Sequence, residues 1–470
     1  MTEADDLIRL TAREAVRALG RGEVSPRALI SAAVERIDAV DGLVNALPTV
    51  AVDQACKEAD DPGLADTLLK GLPIAVKDLT DVAGVRTTYG SPIFADHVPK
   101  TSGATAHALE QAGAIALAKA NTPEFGAGAQ TFNAVFGRTL NPWNTRLTCG
   151  GSSGGSAVAL ATGMVWLAQG SDLGGSLRTP ASFCSVTGMR PSPGLVPRGP
   201  AADAFCDLFL DGPMARNVGD LGLMLDAMTA ADATDPWAWG GGPPGGSGFG
   251  AAAETPSVPR RVAYSPDLGI TPVEPEVAEI CAAAARRFEA LGAVVEEAAP
   301  DLSGATEVFQ TLRAVLFATQ LGPLLEADRD RIKPDVVWNI EKGLALTGEE
   351  VARARRERTK LYGRMRQFFE RYDVLLCPAA VALPFPVSQT TVEEVAGYRF
   401  DNYVGWLAIT FAISLSTCPA LSVPCGFTRS GLPVGLQMVG RLRGDAELLS
   451  HAAALEAELG LWDRTPIMPR

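Results

Sequence analysis

Residues 148–159 read TCGGSSGGSAVA, four glycines and three serines within a dozen positions. A flexible linker, a phosphate-cradling loop and a catalytic loop all use such a composition. A P-loop needs Gly-x4-Gly-Lys-Ser/Thr, and no lysine follows these glycines. The dinucleotide pattern Gly-x-Gly-x-x-Gly sits behind a buried strand, whereas Asn144–Thr148 is polar and turn-like. Phosphate binding is therefore disfavoured. Gly151–Gly155 does match the nucleophile elbow Gly-x-Ser-x-Gly, with Ser153 at its centre. That elbow needs a buried strand upstream and a histidine base downstream. The strand is missing, and the one downstream histidine, His451, falls in an ordinary helical stretch.

A second loop follows, Gly170-Ser-Asp-Leu-Gly-Gly-Ser176-Leu-Arg178-Thr-Pro180. Paired glycines let successive backbone N–H groups converge, as a tetrahedral oxyanion requires within about 3 Å. A serine closing such a turn is placed to attack a carbonyl held there. Taken alone, the same turn is a helix cap.

Around these loops the pattern alternates strands and helices. Thr11–Glu14 reads as a capping box, and Ser25-Pro26 opens a second helix with Leu29, Ile30, Ala33, Ile37 and Val40 on one face. Leu72–Lys77 reads as a strand, Ala104–Gly113 as a helix and Ala114–Ala118 as a strand. Ser156–Ala168 is small and apolar throughout, as in a helix buried all round. Arg261–Tyr264, Glu274–Leu291 and Ala293–Glu297 form a β-α-β pattern; a charged helix over Glu349–Arg371 and a strand at Val374–Cys377 follow. The order argues an α/β fold with a largely buried, partly parallel sheet. Gly240–Gly250, GGGPPGGSGFG, reads as a flexible surface loop.

Composition narrows the chemistry. Hydrophobic residues make up 47% and charged residues 20%, the balance of a folded chain. A net charge of −13 with no Lys/Arg run argues against a nucleic-acid footprint. The most apolar stretches, Ala157–Ala168 and Leu407–Val423, are too short or too broken for a membrane span. Eight cysteines without a Cys-x-x-Cys pair, behind an acidic N-terminus, lead us to expect reduced thiols in a cytoplasmic protein. His97, His107 and His451 stand apart, at no metal-ligand spacing, so neither metal nor histidine catalysis is expected.

Several long motifs then occur in one order: GLPIAVKDLTDVAGVRTTYGS, FGRTLNPWNTRLTCGGSSGGSAVALATG, GSDLGGSLRTPASFCSVTGMRPS, GPMAR and CPALSVPCGFTRSGLPVGLQMVG. Together they resemble the amidase signature family, most densely from Gly71 to Pro197, and the likeness runs over most of the chain. The resemblance implies a single amidase domain over residues 1–470, with a central mixed, largely parallel twisted sheet covered on both faces by helices. It also implies a Ser-cisSer-Lys triad: Lys77 as base, Ser152 as bridging serine behind a cis Gly151–Ser152 peptide, and Ser176 as nucleophile. The backbone amides of Leu173, Gly174, Gly175 and Ser176 become the oxyanion donors. Gly126, Ala127 and Gly128 become the wall beside the scissile carbonyl, with Phe132, Trp143, Phe400, Tyr403 and Trp406 as candidate apolar linings. No cofactor is implied, and the expected partner is a small-molecule amide, without nucleic acid or membrane. A homodimer is left open.

The residues suit that chemistry. Neutralising a lysine of pKa about 10.4 at pH 7 costs about 4.6 kcal/mol, and burial lowers the pKa by several units. Leu72–Val76 supplies apolar surroundings for Lys77. In an extended segment Asp78 points to the opposite face and does not pair with it. Ser153 and Ser156 are expected to be structural, Ser156 as a helix cap; Asp172 and Arg178 are expected to shape the loop through an ion pair or hydrogen bonds, rather than to contact substrate. Cys184, without a histidine, reads as a core thiol. Two activities share the triad: a stand-alone amidohydrolase, and the ammonia-releasing A component of a glutamyl-tRNA(Gln) amidotransferase, which draws that ammonia from glutamine. That component usually carries a leucine-alanine-glycine segment before its last proline loop, where this chain has DNYVGWLAITFAISLSTCPAL. A binding protein on a dead scaffold would need a broken triad, and none of the three positions is substituted.

Overall fold

Eleven short, mostly apolar runs pair into one mixed sheet in the computed structural model, which describes residues 3–199, 203–230, 232–239 and 248–470. In chain order they are β1 (Thr49–Val50), β2 (Pro73–Lys77), β3 (Ile115–Ala120), β4 (Leu167–Asp172), β5 (Thr187–Arg190) and β6 (Leu210–Ala215). The second half supplies β7 (Arg261–Tyr264), β8 (Val294–Glu297), β9 (Val374–Pro378), β10 (Ala420–Phe427) and β11 (Pro433–Val439). Across the sheet they lie in the order β1-β3-β2-β4-β6-β5-β10-β11-β9-β7-β8.

Pairing is parallel in two blocks, β3-β2-β4 and β9-β7-β8. The β1 edge and the middle of the sheet are antiparallel. Parallel neighbours need crossovers, and helix Ala104–Gln111 supplies the one from β2 to β3. Helices Pro275–Ala285 and Arg287–Ala290 cross from β7 to β8, completing the expected β-α-β unit. β10 and β11 instead form a hairpin. Strands β2, β4, β6, β9 and β11 are buried at every residue, as unalternating apolar runs in a covered sheet should be. This is the α/β architecture expected, a large mixed sheet with many helices, except that its antiparallel junctions, six, outnumber its parallel ones, four, because the middle of the sheet pairs antiparallel.

Local signals held where side-chain chemistry dictates them. Thr11 and Glu14 close a reciprocal capping box on helix Ala12–Gly20, and Ser25 caps helix Pro26–Val44, although a further helix, Glu3–Arg9, precedes both. The 156–168 expectation needs correction: the helix spans Gly154–Ala161, Gly163 turns the chain at φ +75°, and Leu167 already opens β4. An apolar run without periodicity serves a buried helix or a buried strand equally, and here it serves both. Residues 240–247 of the glycine-rich segment lie outside the described residues. Its end is not a loop: Gly248 precedes helix Phe249–Ala253, whose first amides donate to the Asp226 carboxylate at 2.6 and 2.8 Å.

The stretch Ala305–Arg331 is long and apolar enough to cross a bilayer by length and composition alone, a property the motif pattern did not single out. In the structure its helix packs against helices Pro334–Ala345, Gly348–Phe368 and Ala408–Leu415, and it carries the buried Arg313.

Candidate active site

β2 and β4 run side by side in one direction, Ile74 opposite Leu167 and Ala75 opposite Ala168. Their C-terminal ends therefore open at the same edge of the sheet. β2 ends on Lys77, β4 on Ser171 and Asp172, and the Leu173–Ser176 loop follows at once. β3, parallel to β2 on its other side, leads into the segment holding Gly126. Sites in α/β sheets gather at such strand ends.

The 148–155 loop closes over this edge. Gly155 has no room for a side chain, because a Cβ there would collide with the backbone of Asn121. The Gly151–Ser152 peptide is cis. Ser152 Oγ lies 2.7 Å from Lys77 Nζ, so the structure brings this expected pair together. Ser153 Oγ and Ser171 Oγ each lie 2.9 Å from the same nitrogen. Ser153 is thus no bystander in its loop: it accepts from Lys77, and its N–H donates to the Ser176 carbonyl at 3.2 Å. Ser171 is a site neighbour that the motifs did not disclose. No pattern in the sequence disclosed it: its place beside Lys77 follows from the parallel pairing of β2 and β4.

Lys77 is fully buried, and complete desolvation pulls its ammonium down to about 7 against the opposing pull of Asp211 and Asp172. Asp78 does face away. Its carboxylate accepts from the Thr88 N–H and hydroxyl and lies 3.6 Å from Lys119 Nζ. A lysine without a touching carboxylate is what a neutral base requires.

Asp172 and Arg178 form the expected ion pair, with Nη2 to Oδ1 at 2.8 Å and Nε to Oδ2 at 3.0 Å; Arg190 adds a third contact at 3.6 Å. Burial alone would raise this carboxyl, but the two guanidiniums and the Leu177 N–H hold it at about 2. Asp172 also accepts the Gly175 N–H at 2.9 Å. That engages one of the four amides expected to face an oxyanion. The amides of Leu173, Gly174 and Ser176 have no acceptor among the described residues. Ser176 itself is partly exposed, and no hydrogen bond of its hydroxyl is found among the described residues.

Gly126 flanks the pair: a Cβ on it would stand 3.5 Å from Ser152 Oγ. Ala127 is buried beside it, and Gly128 faces Lys333, whose Nζ donates to the Ala127 carbonyl at 3.3 Å. The candidate aromatics divide. Trp406 packs on Phe385 in the core, whereas Trp143 is half-buried, donating to the Cys184 carbonyl and packing on Phe427. Phe132 lies under Lys333 Nζ and Phe400 pairs with Tyr398, while the Tyr403 hydroxyl meets Arg313. Ser156 does not cap its helix; it lies inside, donating to the Gln169 carbonyl at 2.8 Å. Cys184 is a buried thiol pushed well above its ordinary range. Among the described residues no three His, Cys, Asp or Glu side chains cluster as metal ligands.

Such a site can pass a proton between Lys77 and Ser152 and offers unengaged backbone N–H donors beside Ser176, whose hydroxyl it does not join to Ser152. Residues 28–449 match the family model described as amidase. The acylamidase of Rhodococcus erythropolis is 34% identical, over 99% of this chain and 98% of its own. The A component of the glutamyl-tRNA(Gln) amidotransferase of Moorella thermoacetica is also 34% identical, over 98% and 99%. Among solved structures, a bacterial aryl acylamidase of the amidase signature family superposes with a TM-score of 0.89 at 25% identity, covering 97% of this chain and 98% of its own.

Proposed function

The chain belongs to the amidase signature family of hydrolases acting on amide C–N bonds, and on that premise we propose that it is a stand-alone amidohydrolase using Lys77, Ser152 and Ser176. One observation carries the reading of the triad: Lys77 is buried, free of a touching carboxylate among the described residues, and 2.7 Å from Ser152 Oγ. The neutral amine takes the Ser152 proton as Ser152 takes that of Ser176. Ser176 Oγ attacks the amide carbonyl, and the oxyanion is received by the free amides of the 173–176 turn. The leaving nitrogen regains a proton through Ser152, and the C–N bond breaks. Water then attacks the ester, delivers its proton along the same path and releases the acid.

A feature at the site favours this over the amidotransferase component. Helix Ala408–Leu415, from the segment that departs from that component's usual pattern, lies on the catalytic loop. Thr410 Oγ1 donates to the Gly174 carbonyl at 2.6 Å, and Phe411 stands beside the same glycine. The test uses the purified chain alone, offered primary amides, anilides, hydrazides and carbamates, with released amine or ammonia as readout. Hydrolysis that disappears in Ser176→Ala and Lys77→Ala is expected. Ammonia release from glutamine only, and only with partner proteins added, would favour the amidotransferase instead.

A further inference from the structure

Arg313 is 4% exposed, and none of its contacts carries a negative charge. Its guanidinium donates to Asn339 Oδ1 and, at 2.6 Å, to the Tyr403 hydroxyl. It also lies 4.5 Å from the Phe317 ring centre and 5.4 Å from that of Tyr403. Among the described residues no carboxylate comes within ion-pair distance. A guanidinium is costly to bury without a countercharge, and Arg178 and Arg190 meet that demand with Asp172.

A second cation, Lys342, makes the imbalance larger. Lys342 stands 5.1 Å over the Trp338 ring, with Nζ 3.5 Å from Gln310 Oε1. Burial first, and then the Arg313 charge, hold its ammonium below the ordinary range. The two cations feel one another, and neither makes an ion pair among the described residues.

Their place relates them to the catalytic loop. Residues four apart share one face of a helix, and Phe309, Arg313 and Phe317 are so spaced. Phe309 reaches Gly174, within 2.9 Å of where a Cβ would stand. Phe317 belongs to the apolar cluster that includes Ala127 and takes in Leu173. Arg313 thus sits between a contact to the Ser176 loop and a contact to the wall beside Ser152.

We propose that Arg313, backed by Lys342, is a specificity-determining site for a carboxylate carried by the substrate. The preferred substrates are then amides with a carboxylate remote from the scissile bond, such as half-amides of dicarboxylic acids. A guanidinium fork matches a carboxylate with two parallel charge-assisted hydrogen bonds. The proposal rests on the amidohydrolase reading above.

The test compares glutaramic and adipamic acids with the neutral diamides of the same lengths. Wild type should favour the half-amides by about tenfold or more in kcat/KM. Arg313→Gln should cut that ratio by about ten- to a hundredfold, chiefly through KM. Arg313→Lys, which keeps the charge without the fork, should fall between, and it serves as the test should the glutamine variant not fold. Calorimetric titration with glutarate and adipate needs no turnover. If wild type cleaves neither amide yet binds these dicarboxylates through Arg313, the amidohydrolase reading fails and the carboxylate site stands. If it cleaves amides with no half-amide preference, or if Arg313 variants keep the preference, the carboxylate site fails alone. Absence of both cleavage and dicarboxylate binding overturns both.

Discussion

Lys77 Nζ lies 2.7 Å from Ser152 Oγ across 75 residues of chain, and its ammonium is pulled down to about 7 by burial. A base must be neutral to act, so kcat/KM should climb about tenfold per pH unit below about 7 and level off above it. A profile from pH 5 to 9 on any cleaved amide checks this; no break near 7 would contradict Lys77 as the base. The same burial links to folding. The native lysine holds its proton less firmly than the unfolded chain's, so its cost is full below about 7. Stability gains from this group as pH rises from about 7 to 10.5.

Ser153 and Ser171 accept from Lys77 as Ser152 does, each at 2.9 Å. Removing an acceptor penalises the charged amine and favours the neutral one. Ser153→Ala and Ser171→Ala are therefore expected to move the acid limb of the pH profile to lower pH and to lower the plateau by about tenfold. Lys77→Ala should cost about a thousandfold, in the range of a lost general base. A limb that stays in place in both serine variants would mean that neither hydroxyl tunes Lys77.

How much of this was legible beforehand follows from what each feature depends on. The capping box at Thr11–Glu14 and the strand ending on Lys77 depend on neighbours in sequence, and both were read correctly. The triad members came from long motifs in fixed order, and the structure joins Lys77 to Ser152. Ser153 and Ser171 at Lys77 depend on which strands lie side by side, which sequence periodicity does not encode. The Gly175 amide looked free because a loop of glycines gives no hint that Asp172, three residues earlier, folds back to accept it. The helix expected to run to Ala168 failed for a different reason: burial on all sides erases the period that separates helix from strand.

The Asp172–Arg178 pair is wholly buried, with both carboxylate oxygens engaged by the guanidinium. Asp172→Asn leaves Arg178 and Arg190 buried without their anion, at a cost of about 3–5 kcal/mol. Urea unfolding should show it as a lower midpoint, and activity should fall with it, because Ser176 lies on the same turn. In the unaltered protein this carboxyl is held at about 2, below its ordinary 3.8. Its contribution is present above 3.8 and drains away as pH falls from 3.8 towards 2, about 2 kcal/mol in all. Stability of Asp172→Asn should lack that part of the acid loss.

Gly175 holds φ at +124°, and a Cβ there would strike the Thr410 hydroxyl and approach Thr179 Oγ1 at 3.1 Å. Both the backbone and the neighbour thus demand glycine. Gly175→Ala should displace the turn whose Leu173, Gly174 and Ser176 amides are the free donors. Loss of aligned oxyanion donors costs about a hundred- to a thousandfold in kcat, and that loss is expected here with KM little changed. The companion variant Thr410→Ala removes the hydroxyl that would be struck but leaves the φ requirement. Combined with Gly175→Ala it should recover part of the lost kcat. No recovery would assign the defect to the backbone angle alone, and a fully active Gly175→Ala would show that the turn does not receive the oxyanion.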